Sequence, residues 1–316
     1  MPAARQLPNF LLIGAMKAST TAFYELAGQH PQIWFPAEKE PHYFTSPHYG
    51  ETSARQAYEA LFAAAPEEAQ AVGEASTGYS KLPHFGDTPA RIRRDLGAVR
   101  LIYLLRDPVE RTVSNFGHAW AAGCYPQGTR LADALRQDPI LLDASRYARQ
   151  IRAYREVFGT EPLLVLTTDH LHSDPPGVMR EVARHLGVDP EVGSDRWPAT
   201  LPRSNAARSA AQTLALRARL SSGAIERVRA LVPPGVRQRL KRWLPQGQPA
   251  PAATAEDRAR ILAELADDLQ DLVELLGDRI ACWPSVAALG SDGRGGSLPG
   301  TSKNPSAGSG ATRCGC

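Results

Sequence analysis

Residues 9–28 read NFLLIGAMKASTTAFYELAG, and the fold follows from how this stretch divides. Phe10 to Ile13 is a short apolar run of the kind that forms a buried strand. It enters Gly14, then a turn carrying Lys17 and the hydroxyls of Ser19, Thr20 and Thr21. A helix from about Ser19 to Gly28 is expected next, with Phe23, Leu26 and Ala27 on its apolar face. Strand, turn and helix start together make an anion site. Backbone N–H groups and the helix dipole converge on one spot, and Lys17 adds a full charge. Phosphate or sulfate is the expected occupant.

Outward from this stretch the chain alternates. Gln29 to Pro41 holds three prolines and reads as a loop or short edge strand; it contains Glu38, Lys39 and Glu40, with His42, Tyr43 and Phe44 just beyond. Tyr58 to Ala65 is expected to be helical, Val72 to Tyr79 a short strand ending in a polar turn, and Pro83 to Leu96 a helix. Val99 to Leu105 is a continuous apolar run suited to a doubly covered parallel sheet. It stops at Arg106-Asp107-Pro108, where Asp107 suits an N-cap and Pro108 a first helical residue. Val109, Val113, Phe116 and Trp120 then form one buried stripe, with Ser114 about 100° round from Val113 and able to look toward whatever Arg106 holds. Leu163 to Thr168 is a third buried strand and Pro175 to Leu186 its following helix. Such alternation argues an α/β fold with a parallel sheet. Ligands there bind beyond the carboxyl ends of the strands, where Lys17 and Arg106 both fall.

The chain has 316 residues, 43% hydrophobic and 22% charged, an ordinary globular composition. Its net charge of +3 is too mild to argue for nucleic acid, and none is expected as a partner. No apolar run approaches ~20 residues, and Phe10 to Met16 is too short for a signal sequence, so a cytoplasmic protein is expected. Cys124, Cys282, Cys314 and Cys316 show neither zinc spacing nor a disulfide framework. Arg203 to Pro245 sets ten Lys/Arg against the single acid Glu226. Its basic helix around 235–244 reads as the solvated face of a helical subdomain, or as a lid over an anion or a surface for acidic lipid. Gln246 to Thr254 is a linker, and Thr254 stands at capping-box spacing from Asp257 before a leucine-rich helix closed by Gly277. One domain over 1–288 is expected, with its basic helical part from about 203, followed by a disordered tail over 289–316.

The first loop is close to a nucleoside-triphosphate loop but differs in two ways. That loop reads G-x-x-x-x-G-K-[ST], with lysine directly before the magnesium-binding hydroxyl. Here Lys17 precedes the hydroxyls by an extra residue, and the second glycine is missing. Together with the Arg106 segment, it resembles the sulfotransferases that use 3′-phosphoadenosine-5′-phosphosulfate (PAPS). Their first signature, G-x-x-K-x-G-T-T between strand and helix, is matched by Gly14, Lys17, Thr20 and Thr21, with Ser19 where glycine is usual. Their second, strand, R-D-P and a helical serine, is matched by Arg106, Asp107, Pro108 and Ser114. Lys39-Glu40-Pro41-His42-Tyr43-Phe44 fits the K-E-x-x-F-F-like segment of the heparan-sulfate branch and its bacterial relatives. Glu74 to Tyr79 falls where that branch has E-x-[ST]-P-x-Y, with the proline absent. The similarity runs over roughly Pro8 to Val188, and Asn205 and Trp283 look like the bacterial members.

The resemblance implies a P-loop-like three-layer α/β/α fold around a central parallel sheet, plus a C-terminal helical extension. It also implies a metal-free enzyme that moves a sulfuryl group from PAPS, leaving adenosine 3′,5′-bisphosphate. Gly14, Ala15, Lys17, Ala18, Ser19, Thr20 and Thr21 would hold the 5′ end, and Arg106, Ser114 and Asn205 the rest of the donor. Glu40 is the base candidate by position, His42 the second, and Lys17 would neutralise the leaving oxygen. Ser19 is the departure that matters for geometry: if the position needs φ > 0, serine adds strain of about 1 kcal/mol, which its hydroxyl could offset by binding phosphate. A small-molecule, glycan or lipid acceptor is expected, for a monomer or homodimer. Two other readings stand beside this one: a magnesium-ATP kinase with Asp107 as metal ligand, and a non-catalytic nucleotide-binding protein.

Overall fold

A computed structural model describes residues 7–201 and 250–292 of the chain. Asn205, the basic stretch 203–245 with its expected helix over 235–244, and residues 293–316 of the expected tail lie outside the described residues. In chain order the elements are β1 (Phe10–Gly14), α1 (Thr20–Ala27), β2 (Ile33–Trp34), α2 (Thr52–Ala60), β3 (Ala71–Ala75), α3 (Thr88–Leu96), β4 (Arg100–Leu105) and α4 (Pro108–Ala121). There follow α5 (Leu131–Gln137), α6 (Ile140–Asp143), α7 (Tyr147–Phe158), β5 (Leu163–Thr167), α8 (Thr168–Ser173), α9 (Pro175–Leu186), α10 (Ala255–Leu276) and α11 (Pro284–Asp292).

These elements fall into two compact units. The described part of the first lies within Met1–Arg106 and Arg146–Gln246, that of the second within Asp107–Ser145 and Gly247–Cys316. The division therefore comes at Asp107, whereas the sequence reading has one domain with a helical part starting near 203.

The first unit holds the sheet. Its order is β2-β3-β1-β4-β5, and every pairing is parallel. Phe10, Leu11, Leu12 and Ile13 are all buried, as are Leu101 to Leu105 of β4, so the apolar runs mark strands covered on both faces. Helices flank this sheet, the arrangement of an α/β fold. Strand packing leaves little slack: a Cβ at Gly73 would lie 2.2 Å from the Phe10 ring across the β1–β3 pair. The buried Gln150 of α7 closes a two-way amide bridge with Leu82, accepting from its N–H at 3.0 Å and donating to its carbonyl at 2.9 Å. Chain order reverses around β1, whose neighbours are β3 and β4. The loops after β1 and β4 therefore open at the switch point of the sheet.

Some boundaries differ from expectation. α2 covers Thr52–Ala60 instead of Tyr58 to Ala65; beyond it the chain tightens into i→i−3 turns, with Leu61, Phe62 and Ala63 N–H groups bonding the Tyr58, Glu59 and Ala60 carbonyls. α3 begins at Thr88, where Pro89 fits the first turn, not at Pro83. Gln29 to Pro41 does contribute an edge strand, the two residues of β2.

The second unit is helical. Val109 and Phe116 of α4 join Leu135, Leu141, Ile261 and Leu265 in one core, with Val113 and Trp120 partly buried against it. Asp107 caps α4, its Oδ1 accepting from the N–H groups of Val109 and Glu110 at 3.0 and 3.1 Å. Thr254 and Asp257 form the capping box of α10, even with the shorter acid at that position. The expected tail begins in regular structure, since α11 runs on to Asp292.

Candidate functional site

The loop after β1 is shaped by close approach. Gly14 has φ +148°, and a Cβ there would sit 2.0 Å from Ser80 Oγ, so only glycine fits. Ala15 N–H then donates to the Leu104 carbonyl at 2.7 Å, tying the loop to the end of β4. Lys17 (φ +71°) and Ser19 (φ +62°) both take left-handed backbone. Ser19 is the N-cap of α1, yet its side chain makes no capping bond. The first-turn amides are thus left uncapped by it at the positive end of the helix dipole, which suits an anionic phosphate.

The Ser19 hydroxyl is engaged elsewhere. It lies 2.9 Å from His172 Nε2, and His172 Nδ1 lies 3.2 Å from the Leu201 carbonyl. A carbonyl only accepts, so in the neutral ring Nδ1 carries the proton and Nε2 accepts from serine. Ser19 is among the donor ligands that the resemblance implies, and its side chain holds a buried histidine from the end of α8. Thr20 is buried, and Thr21 Oγ1 accepts from Lys39 Nζ at 3.0 Å.

Lys39 leads to the second cluster. Its Nζ is 3.6 Å from Glu40 Oε1, so one ammonium touches both the first turn of α1 and the candidate base. Burial pulls the Lys39 pKa down, opposed by the Glu40 charge. Glu40 (φ +64°) and His42 (φ +53°) are again left-handed. The backbone N–H of Glu40 donates to the Ala75 carbonyl at 3.0 Å, and that of His42 to Ser76 Oγ at 3.1 Å. Glu40 Oε2 accepts from Thr77 N–H at 2.8 Å and Thr77 Oγ1 at 3.0 Å, with His42 Nε2 at 3.2 Å. Burial lowers the His42 pKa; Glu40 opposes this, while Lys81 and Lys39 push the same way as burial. His42 is therefore neutral near pH 7, with its Nε2 against Glu40 Oε2. Its Nδ1 packs at Gly78, where a Cβ would lie 2.8 Å away.

Below this cluster, in β3, stands Glu74. It is fully buried, and burial pushes its pKa up to about 8, so it is mostly protonated at neutral pH. Its Oε2 accepts from Ser76 Oγ at 3.3 Å, and the Tyr58 and Tyr79 hydroxyls lie beside the carboxyl.

The structure thus gathers Thr21, Lys39, Glu40 and His42 around linked contacts, with Gly14, Ala15, Lys17, Ala18, Ser19 and Thr20 on the same loop and helix start. Arg106 follows β4 at the carboxyl end of the sheet, partly buried. Ser114 belongs to α4 in the second unit and is half-buried there. Both oxygens of Asp107 are committed to backbone, Oδ1 in the α4 cap and Oδ2 to Ser285 N–H at 3.0 Å. That occupies the carboxylate which the kinase reading needs for magnesium. Tyr79 and Tyr147 lie wholly in the core. His172 and Thr77 carry no role in the sequence reading. His172 is 153 residues from its partner, and no local pattern marks it. Thr77 had one signal: it replaces the proline of the resembled segment.

A family model described as a sulfotransferase domain matches residues 7–196. A membrane-associated sulfotransferase, kil1, of Dictyostelium discoideum is 37% identical over 110 residues, covering 35% of this chain and 22% of that one. Heparan sulfate glucosamine 3-O-sulfotransferase 3A1 of Mus musculus is 26% identical over 193 residues, covering 58% and 47%. This chain thus spans less than half the length of these curated relatives. Among solved structures, a sulfotransferase from Alicyclobacillus acidocaldarius shares the fold with a TM-score of 0.55 and 23% identity, covering 85% of this chain and 96% of its own.

Proposed function

We propose, from the premise that this chain belongs to the sulfotransferase domain family, that it transfers a sulfuryl group from PAPS to a hydroxyl or amine of a carbohydrate, lipid or small natural product. The observation that carries the reading is the Lys39 bridge. It sets a carboxylate 3.6 Å from an ammonium that also touches the first turn of α1, where the 5′-phosphosulfate would lie. The uncapped turn, the left-handed loop and the missing Cβ at Gly14 fit such a group.

PAPS, when bound, supplies the sulfuryl group and a phosphate leaving group. Glu40 takes the proton from the acceptor as its oxygen or nitrogen attacks sulfur in line with the bond that breaks. Lys17 neutralises the charge left on the bridging oxygen. Arg106 supplies a fork for the 3′-phosphate on the strength of the motif, with Ser114 and Asn205 as further ligands by resemblance. Glu40 is favoured over His42 as base because its carboxylate stands against the Lys39 ammonium that reaches the first turn of α1, while the His42 Nδ1 faces Gly78. The same reading places the enzyme in the cytoplasm and its transfer step without metal. Among the described residues, no helix is long and apolar enough to cross a membrane.

The test is mass-spectrometric screening of acceptor mixtures for sulfate gained from PAPS, with Glu40→Gln in parallel. That variant should lose about 10²- to 10⁴-fold in turnover while keeping its affinity for adenosine 3′,5′-bisphosphate. Unchanged turnover would move the base to another residue, His42 first.

A further inference from the structure

Thr77 opens the 3₁₀ turn Thr77–Ser80 directly after β3, and its N–H, being first in the turn, has no acceptor inside it. Glu40 Oε2 takes that N–H at 2.8 Å and the Thr77 hydroxyl at 3.0 Å. These two bonds take both lone-pair directions of this oxygen, and His42 Nε2 stands beside it at 3.2 Å. The other oxygen is placed differently: Lys39 Nζ stands 3.6 Å from Oε1, a charge contact beyond hydrogen-bond range. The two oxygens of one carboxylate are thus made inequivalent by their surroundings.

We propose that Thr77 is the positioning residue of the base. By gripping Oε2 from backbone and side chain together, it fixes the Glu40 carboxylate so that Oε1 is the atom that takes the acceptor proton. The inference rests on Glu40 acting as base. The loop itself is held by other contacts, Glu40 N–H to the Ala75 carbonyl at 3.0 Å and His42 N–H to Ser76 Oγ at 3.1 Å. Thr77 therefore adds orientation of the side chain to a backbone already anchored. Proline, which the resembled segment carries at this place, has neither an N–H nor a hydroxyl and could make neither bond. The grip is a property of this chain's own residue.

The experiment compares Thr77→Ser, Thr77→Val, Thr77→Pro and Glu40→Gln in the full chain. Release of adenosine 3′,5′-bisphosphate from PAPS is followed with phenol as probe acceptor and with water alone, beside the affinity for that nucleotide. Serine keeps both donors and should retain near wild-type kcat. Valine keeps shape and N–H but loses the hydroxyl, and kcat should fall about tenfold with nucleotide affinity unchanged. Proline should fall further. Nucleotide affinity reports folding in each variant, and the valine–serine pair decides if proline does not fold. Wild-type kcat in Thr77→Val with an inactive Glu40→Gln would overturn the positioning role and leave the base in place. Wild-type kcat in Glu40→Gln, or no nucleotide release by the unaltered chain, would overturn the base reading and this inference with it.

Discussion

Ser19 holds a left-handed backbone, φ +62°, at the start of α1, and its hydroxyl is bonded to His172 Nε2 at 2.9 Å. The first feature destabilises and the second stabilises, each by about 1 kcal/mol. Two substitutions separate them. Ser19→Ala and Ser19→Gly both lose the hydroxyl, but only alanine keeps a Cβ in the left-handed region. Alanine should therefore be less stable than glycine by about 1 kcal/mol in denaturant melts. Equal stabilities would mean that the left-handed backbone carries no penalty here. The irregularity at 19 was legible in the sequence, because a glycine position held serine. Its partner was not, since a contact across 153 residues leaves no trace in local spacing. Glu40 and His42 were singled out by their place in the segment Lys39–Phe44 that carries the family resemblance. Their left-handed backbones and the grip of Thr77 depend on the end of β3, which sequence alone does not dock against them.

At the scale of elements, β3 carries the largest electrostatic liability described. Burial raises Glu74 from 4.5 to about 8. Between those values the folded chain binds more protons than the unfolded one, so this group's contribution to stability is greatest below pH 4.5 and falls as pH rises toward 8. The slope is up to roughly 1.4 kcal/mol per pH unit. Glu74→Gln copies the neutral form, so its Tm advantage over the natural chain should grow across that window. A constant difference would place the ionisation elsewhere. His42, with its pKa lowered, acts in the opposite sense: stability is lost as pH falls below its ordinary 6.5. Comparing variant with parent cancels that term. Within the second unit, Asp107→Ala removes the α4 cap and the acceptor for Ser285 N–H. A loss of about 1–2 kcal/mol is expected in thermal or denaturant unfolding. That cap was legible from Asp-Pro alone, whereas the bounds of α2 and α3 were not, because α2 passes into i→i−3 turns that no breaker residue marks and α3 starts at Thr88-Pro89 instead of Pro83.

For the whole molecule, alternation of apolar runs and helical stripes was enough to read a parallel α/β sheet, since covered strands must be apolar on both faces. The loops after β1 and β4, at the switch point, followed from the same pattern. The division into two units at Asp107 did not, because it depends on which helices share a core, and residues 107–145 join the helices beyond 250 in theirs. The donor is the feature on which the functional reading turns, since a phosphosulfate needs an anion loop and a forked arginine but no triphosphate-bound magnesium. Calorimetric titration of adenosine 3′,5′-bisphosphate into the full chain, with and without chelator, tests this most directly. Tight binding that is indifferent to chelator is the predicted result. Binding of magnesium-ATP alone, with none of the bisphosphate, would contradict it.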